Sequence, residues 1–393
     1  MAALLLLWGA VACTTPTDNP APQPDPLPAK PDPTPAPAPT PAPVPSDPSA
    51  YPAVTVTTVA GQYTNGPGSL VDGQGAAARF KYPGQLVFDK FDNLYIIDQG
   101  VFSEEATTIR KMDPAGNVTT FATGFSSLSD ICIDPRDGVT LYGVDNTFRD
   151  NDLGGIYRID AGGQKTRLGG GLARQGYQDG PLTEARFYRP SGCVMDGSGN
   201  LYVADAWNFC VRKINLNAGT VTTLAGHPSD INTTTCRYAD GKGAAAAFCN
   251  FADLTLDGQG NIVVPDRYNH RVRKITPDGQ VSTFIESGGY LELDGPRAEA
   301  TASYPIRTHY DPASKNLFMS SSSGGRLRVA TASGYVFSLA GASGSGFGHG
   351  YQDGDGKTAK FNGIHGLAVN KKGEIFIADN VNSCIRKVTL AWK

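Results

Sequence analysis

From Val54 onward the apolar positions fall in short runs, each broken by a cluster of Gly, Asn and Asp. Residues 186–226 show the unit plainly: CVMD, a turn GSGN, LYVAD, a connection AWN, CVRKI, a second turn NLNAG, then TVTTLAG. Val, Ile, Tyr and Phe suit a pleated, half-buried surface. Gly, Asn and Asp supply the positive φ that tight hairpin turns require. The unit therefore predicts four short antiparallel strands. No stretch carries heptads or a 3.6-residue period, which argues against a helical architecture.

The unit recurs. Residues 247–284 (AFCNFADLTLDGQGNIVVPDRYNHRVRKITPDGQVSTF) and 360–390 (KFNGIHGLAVNKKGEIFIADNVNSCIRKVTL) repeat it closely. Copies beginning near Arg79, Leu128 and Ser303 repeat it with more changes. The second strands end at Asp98, Asp145, Asp205, Asp266, Ser321 and Asp379, spaced 47 to 61 residues apart. Six such four-stranded units close radially into a β-propeller, an all-β fold that leaves no long sheet edge exposed. The last unit stops at IRKVTLAWK with no fourth strand after it. The segment VTVTTVAG, residues 54–61, resembles the fourth strands TVTTLAG and YVFSLAG. It is expected to complete the last blade and close the ring from both ends, removing two free edges.

Two segments precede this domain, which spans 51–393. Residues 1–12 are an apolar run ending Ala10-Val11-Ala12 before Cys13. At about half the ~20 residues of a membrane span, the run reads as a signal peptide. It resembles a bacterial lipoprotein signal, and the resemblance implies lipidation of Cys13. Residues 13–50 are dense in proline, which fixes φ and removes donors, so this segment is expected to be an extended, disordered linker. Together they imply an exported protein, lipid-anchored in the bacterial envelope at the outer membrane. The net charge is −3 and no Lys/Arg run occurs, so nucleic acid is not an expected partner.

The repeat resembles the NHL family, whose pattern approximates P-x-G-[ILV]-A-V-D-x-x-G-N-[IL]-Y-V-A-D-x-x-N-x-[RK]-[IV]-R-K. The stretch Asn261–Lys274, NIVVPDRYNHRVRK, matches it best and includes Asn269-His270. The resemblance covers residues 54–393 and implies the six-bladed propeller. That scaffold serves adhesion modules, sensors and some enzymes alike, so it does not fix a function.

Several constellations carry candidate chemistry. The Asp residues ending the second strands, with Asn208, Asn269 and Asn382, read as turn caps rather than a ring of ligands. The segments starting Asp72-Gly73, Asp179-Gly180, Asp240-Gly241, Asp294-Gly295 and Asp353-Gly354 each end in Phe or Tyr. They read as polar turns with a short helical stretch whose ring fills the gap between blades. Counting back from the end of each innermost strand gives Gln85, Asp130, Gly192, Asp253, Arg307 and Gly366, with His365 beside the last. These positions converge on the mouth of the central channel. The connections carrying Trp207 and Tyr268 end there too. Carboxylates, a guanidinium, an imidazole and two aromatics around one concavity point to a ligand site, while a wet, polar propeller rim is the alternative.

The five His residues (His227, His270, His309, His349, His365) fall at different repeat positions, and a zinc site needs three or four convergent ligands. No cofactor is expected; the Asp150-Asn151-Asp152 insertion offers oxygen ligands for calcium but reads first as an exposed loop. Of the cysteines, Cys236 and Cys249 flank one long insertion and form the candidate disulfide. Cys210 and Cys384 sit three blades apart, too far to bond, and Cys132 and Cys193 read as small core residues. The sequence thus points to a monomeric, non-catalytic binding or scaffold protein taking a glycan or protein ligand on one propeller face. The alternative is a metal-dependent hydrolase or lyase at the channel mouth.

Overall fold

The computed structural model describes residues 51–391 except 65–67, 100–105, 148–154, 171–175, 229–236, 252, 287–291, 322–324 and 342–348. The signal segment, Cys13, the linker, Cys236 and the Asp150–Asp152 insertion lie outside the described residues.

Six antiparallel sheets form the six blades. Blade three runs from the channel outward as Pro190–Met195, Asn200–Asp205, Cys210–Asn215 and Thr220–Gly226. The first hairpin turn is built by its own side chains. Asp196 Oδ1 accepts from the Ser198 and Asn200 N–H groups, and Asn200 Nδ2 donates to Asp196 Oδ2. Gly199, at φ 85°, supplies the left-handed residue. Asp89 with Asn93, and Asp257 with Asn261, repeat this arrangement.

The ring closes as expected. Ala53–Gly61 pairs antiparallel with Cys384–Ala391, with Val56 opposite Val388, and becomes the outer strand of blade six. Val56 is fully buried among Val388, Ile375, Ile377 and residues of blade five. That strand comes from the other end of the domain.

One detail differs from the four-stranded expectation. In five of the six sheets a two-residue strand adds a fifth, outermost rung, as Gly180–Pro181 does beside Thr220–Gly226. These rungs come from the Asp-Gly segments. Blade two has no such segment and keeps four strands. In four of these segments the terminal Phe fills the gap between blades. In the segment from Asp294 the core takes Ala300 and Ala302 instead, and Tyr304, expected to fill that gap, stands half-buried against Tyr268 and His270. Phe80 packs with blades one and six, Phe187 with two and three, Phe248 with three and four, and Phe361 with five and six. Burying one such ring stabilises the interface by ~1.5–3 kcal/mol. Among the described residues no helix is long and apolar enough to cross a membrane.

Candidate ligand-binding face

The start of each innermost strand pairs with the end of the second: Pro190 with Asp205, Pro305 with Ser321, Ile364 with Asp379. The connection entering a blade and the connection after its second strand therefore emerge at one end of the sheet. Neighbouring blades are stitched at that same end. Ser129 Oγ donates to Pro190 O (2.9 Å), Ser191 Oγ to Phe251 O (2.8 Å), Ser320 Oγ to Ile364 O (3.1 Å) and Asn380 Nδ2 to Pro83 O (3.0 Å). All these loops share one face of the ring.

The second-strand Asp residues hold that face from beneath. Asp205 accepts from the Tyr188 N–H (2.7 Å), Asp266 from Cys249 (2.7 Å) and Asp379 from Asn362 (2.7 Å). Asn208, Asn269 and Asn382 each donate to the same carboxylate. The capping role expected from sequence is present. The partner not anticipated is a fully buried arginine on the third strand. Arg212 bonds Asp205 (2.7 Å) and Asp179 (2.6 Å). Arg273 bonds Asp266 (2.9 Å) and Asp240 (2.5 Å), and Arg386 bonds Asp379 (2.6 Å) and Asp353 (2.5 Å). Burial pushes Asp205 and Asp266 up to about 6 against the pull of these guanidinium groups and amides.

At the neck of the channel the structure brings Gln85, Asp253, Arg307 and His365 together. Gln85 Nε2 donates to Asp253 Oδ1 at 3.4 Å, and Arg307 Nη1 stands 3.7 Å from the same oxygen. Arg307 Nε donates to the His365 carbonyl (2.7 Å), and Asp253 Oδ2 accepts from the Thr308 N–H (2.6 Å). Asp130 is buried beside them, accepting from the Cys193 and Ile131 amides at 2.8 Å each. Burial raises the carboxyl pKa of both acids, the Asp253 charge raises Asp130 further, and Arg307 pulls both back. Opposite them the backbones touch: a Cβ on Gly366 would lie 2.0 Å from Gly84 O. Asp130, Asp253 and Arg307 are buried there and held by these partners, while Gln85 and His365 are half-buried.

Trp207 and Tyr268 stand apart from that cluster. They are 42% and 46% exposed, on adjacent blades, each on the connection after a second strand. The Arg189 guanidinium lies over the Trp207 ring at 4.4 Å, and that of Arg267 lies 5.4 Å from the Tyr268 ring centre. Tyr188 packs against Trp207 (5.3 Å), and Tyr304 stands edge-on to Tyr268 (6.2 Å). His270 belongs to the turn: it is left-handed at φ 52°, and its Nδ1 accepts from the Tyr304 N–H at 3.3 Å. Arg189 and Tyr304 are also left-handed, at φ 48° and 43°, near where blade six has Gly363 at φ 86°. Bulky residues pay of the order of 1 kcal/mol or more for that conformation.

Sequence reasoning missed Arg189 and Arg267 because they occupy variable positions in the connections of the repeat, and it assigned Tyr304 to a gap between blades. Among the described residues no group of three or more His, Cys, Asp or Glu side chains is arranged to hold a metal ion. Cys249 is disulfide-bonded, with its partner outside the described residues. Cys132, Cys193, Cys210 and Cys384 are free and buried.

The NHL repeat family model matches residues 187–214 and 361–388, in blades three and six. NHL repeat-containing protein 2 of Bos taurus is 31% identical over 111 residues, 27% of this chain and 15% of that protein. The chain spans less than a fifth of the length of the curated relatives it matches. An auxiliary nutrient binding protein from Bacteroides thetaiotaomicron has a similar structure, with TM-score 0.66, 18% identity, and coverage of 86% of this chain and 76% of that one. A gluconolactonase from Xanthomonas campestris superposes with TM-score 0.52 and 12% identity over 87% of this chain and 98% of that one. At these identities the two structures speak to the fold alone. The chain is a six-bladed β-propeller in which blades three and six carry NHL repeats.

Proposed function

We propose that the propeller is a non-catalytic binding module, displayed from a membrane through a lipidated Cys13, which takes a glycan across the face carrying Trp207 and Tyr268. The observation that supports it is the pair of exposed aromatics on adjacent blades, each beside a guanidinium. Large apolar rings left in solvent in this way are suited to stacking against sugar rings. A glycan and peptide array probed with the purified chain tests this. A glycan hit should be lost in Trp207→Ala and Tyr268→Ala while both variants keep the parent melting temperature. Retention of binding by both variants overturns the assignment of the face.

A metal-dependent hydrolase or lyase is the competing reading, resting on the two neighbouring buried acids Asp130 and Asp253 at the neck. Stoichiometric divalent metal in the purified protein, abolished by Asp130→Asn, Asp253→Asn and His365→Gln together, would favour it.

A further inference from the structure

We infer that the ligand of this face is an anionic glycan, whose carboxylate or sulfate group is taken by Arg267 and Arg189 while its sugar rings lie on Tyr268 and Trp207. The inference rests on the reading of that face as a glycan site and adds the ligand's charge.

Three independent observations carry it. The first is the state of Arg267. It is half-buried at the channel mouth, makes no ion pair among the described residues, and has its Nε buried without a hydrogen-bond partner. Arginines elsewhere in the ring show the contrast: Arg212, Arg273 and Arg386 each hold two carboxylates. A guanidinium with its donor fork unspent is suited to bidentate capture of a carboxylate or sulfate.

The second observation is the sign of the charge. Burial first, and then the guanidinium groups of Arg307 and Arg267, hold the His365 imidazole neutral, down to about 4, so Arg267 places its charge within reach of the neck. The two acids of the neck do not offset this at the surface. Asp253 is paired with Arg307, Gln85 and Thr308, Asp130 is held by amides, and both are buried. Around Arg267 the described groups therefore present positive charge to an approaching ligand, because the acids of the neck are buried and held.

The third is backbone strain. Arg189 adopts φ 48°, a conformation that glycine takes more cheaply, and Gly363 does so in blade six. A bulky cation kept at such a position, its guanidinium over Trp207, places charge and aromatic plane side by side. Arg267 and Tyr268 repeat that juxtaposition one blade further round.

Isothermal titration of the purified chain tests this with four probes of similar length: polygalacturonate, chondroitin sulfate, a neutral galactan and poly-glutamate. Binding to the uronate or the sulfated polymer, weakening as salt rises, is expected. Arg267→Gln should weaken it about tenfold or more, and Arg267→Lys by less. A preference between the first two polymers identifies carboxylate or sulfate as the group recognised. Equal binding to the neutral galactan, unchanged by Arg267→Gln, overturns the inference and leaves the glycan-binding reading standing. Binding to poly-glutamate alone overturns both, and so does binding to none of the four. A thermal melt of each variant at the parent temperature shows that lost affinity is not lost fold.

Discussion

Arg212 and Asp205 meet at 2.7 Å with both side chains fully buried, and the same guanidinium reaches out to Asp179 at 2.6 Å. Asp205 in turn holds the Tyr188 amide, so one arginine ties the outer rung of blade three to the loop that enters it. Blades one, four and six repeat the arrangement through Arg110, Arg273 and Arg386. Blade five has Ser321 in place of the inner Asp, and there Arg328 pairs with Asp294 alone. Blade two lacks the Asp-Gly segment, and Tyr157 stands opposite Gly143 where blade three has Arg212 opposite Val203. The arginine and the outer rung are present together and absent together.

Removing one partner of a buried pair leaves an uncompensated charge and costs ~3–5 kcal/mol. Asp205→Ala should therefore lower stability by that order. Asp179→Ala, at the partly exposed end of the same arginine, should cost clearly less. Urea denaturation of the two variants measures the difference, and equal midpoints would place the load at the outer rung instead.

Deleting residues 53–61 removes the outer strand of blade six and bares the edge of Cys384–Ala391. That truncation should aggregate or melt many degrees lower. Deleting residues 14–48, which stops short of the Tyr51 ring packed on Phe337 at 4.6 Å, should leave the melt unchanged. Differential scanning calorimetry of both compares them directly.

The neck tolerates no added methyl between blades six and one. Gly366→Ala would set a Cβ 2.0 Å from the Gly84 carbonyl oxygen, a backbone atom that cannot swing away. The expected result is a loss of at least ~1–3 kcal/mol from overpacking, read as a lower urea midpoint. A melt equal to the parent's would mean that the two backbones part easily.

The pH response of His365 has a definite sign. Its imidazole is held neutral down to about 4, first by burial and then by Arg307 and Arg267, whereas an unfolded chain takes up that proton near 6.5. The unfolded state thus binds more protons between these values. Stability from the neutral ring is present above about 6.5 and is lost as pH falls toward 4. His365→Gln should lose less stability than the parent between pH 7.5 and 4.5, by of the order of 2 kcal/mol. Urea midpoints at both pH values report it.

The anchor is tested apart from the fold. Mass spectrometry of the exported protein should find a diacyl or triacyl group on an N-terminal Cys13. An unmodified N-terminus beyond residue 13, with the protein free in the medium, contradicts it.

The blades and their closure were legible because the pattern repeats, and because VTVTTVAG copies a strand that blade six lacks. The neck residues were legible too, since counting along the repeat places Gln85, Asp130, Asp253 and Arg307 in register. Their burial was not, because it depends on how closely six blades approach one another. The two-residue rungs escaped notice because Gly-Gln or Gly-Pro carries no strand propensity; a neighbouring strand recruits them. The arginines of the third strands sit in an RK pair that reads as solvent-facing polarity. Only the joint loss of arginine and Asp-Gly segment in blade two signals the bond between them.

Trp207 itself reports most directly on the central claim, that the face it occupies binds the ligand. With Trp8 and Trp392 replaced by Phe, it becomes the one indole in the chain. Titration with the glycan selected by the array should shift and quench its emission saturably, with the midpoint that calorimetry gives. Calorimetric binding of that glycan with the Trp207 spectrum unchanged would contradict the account.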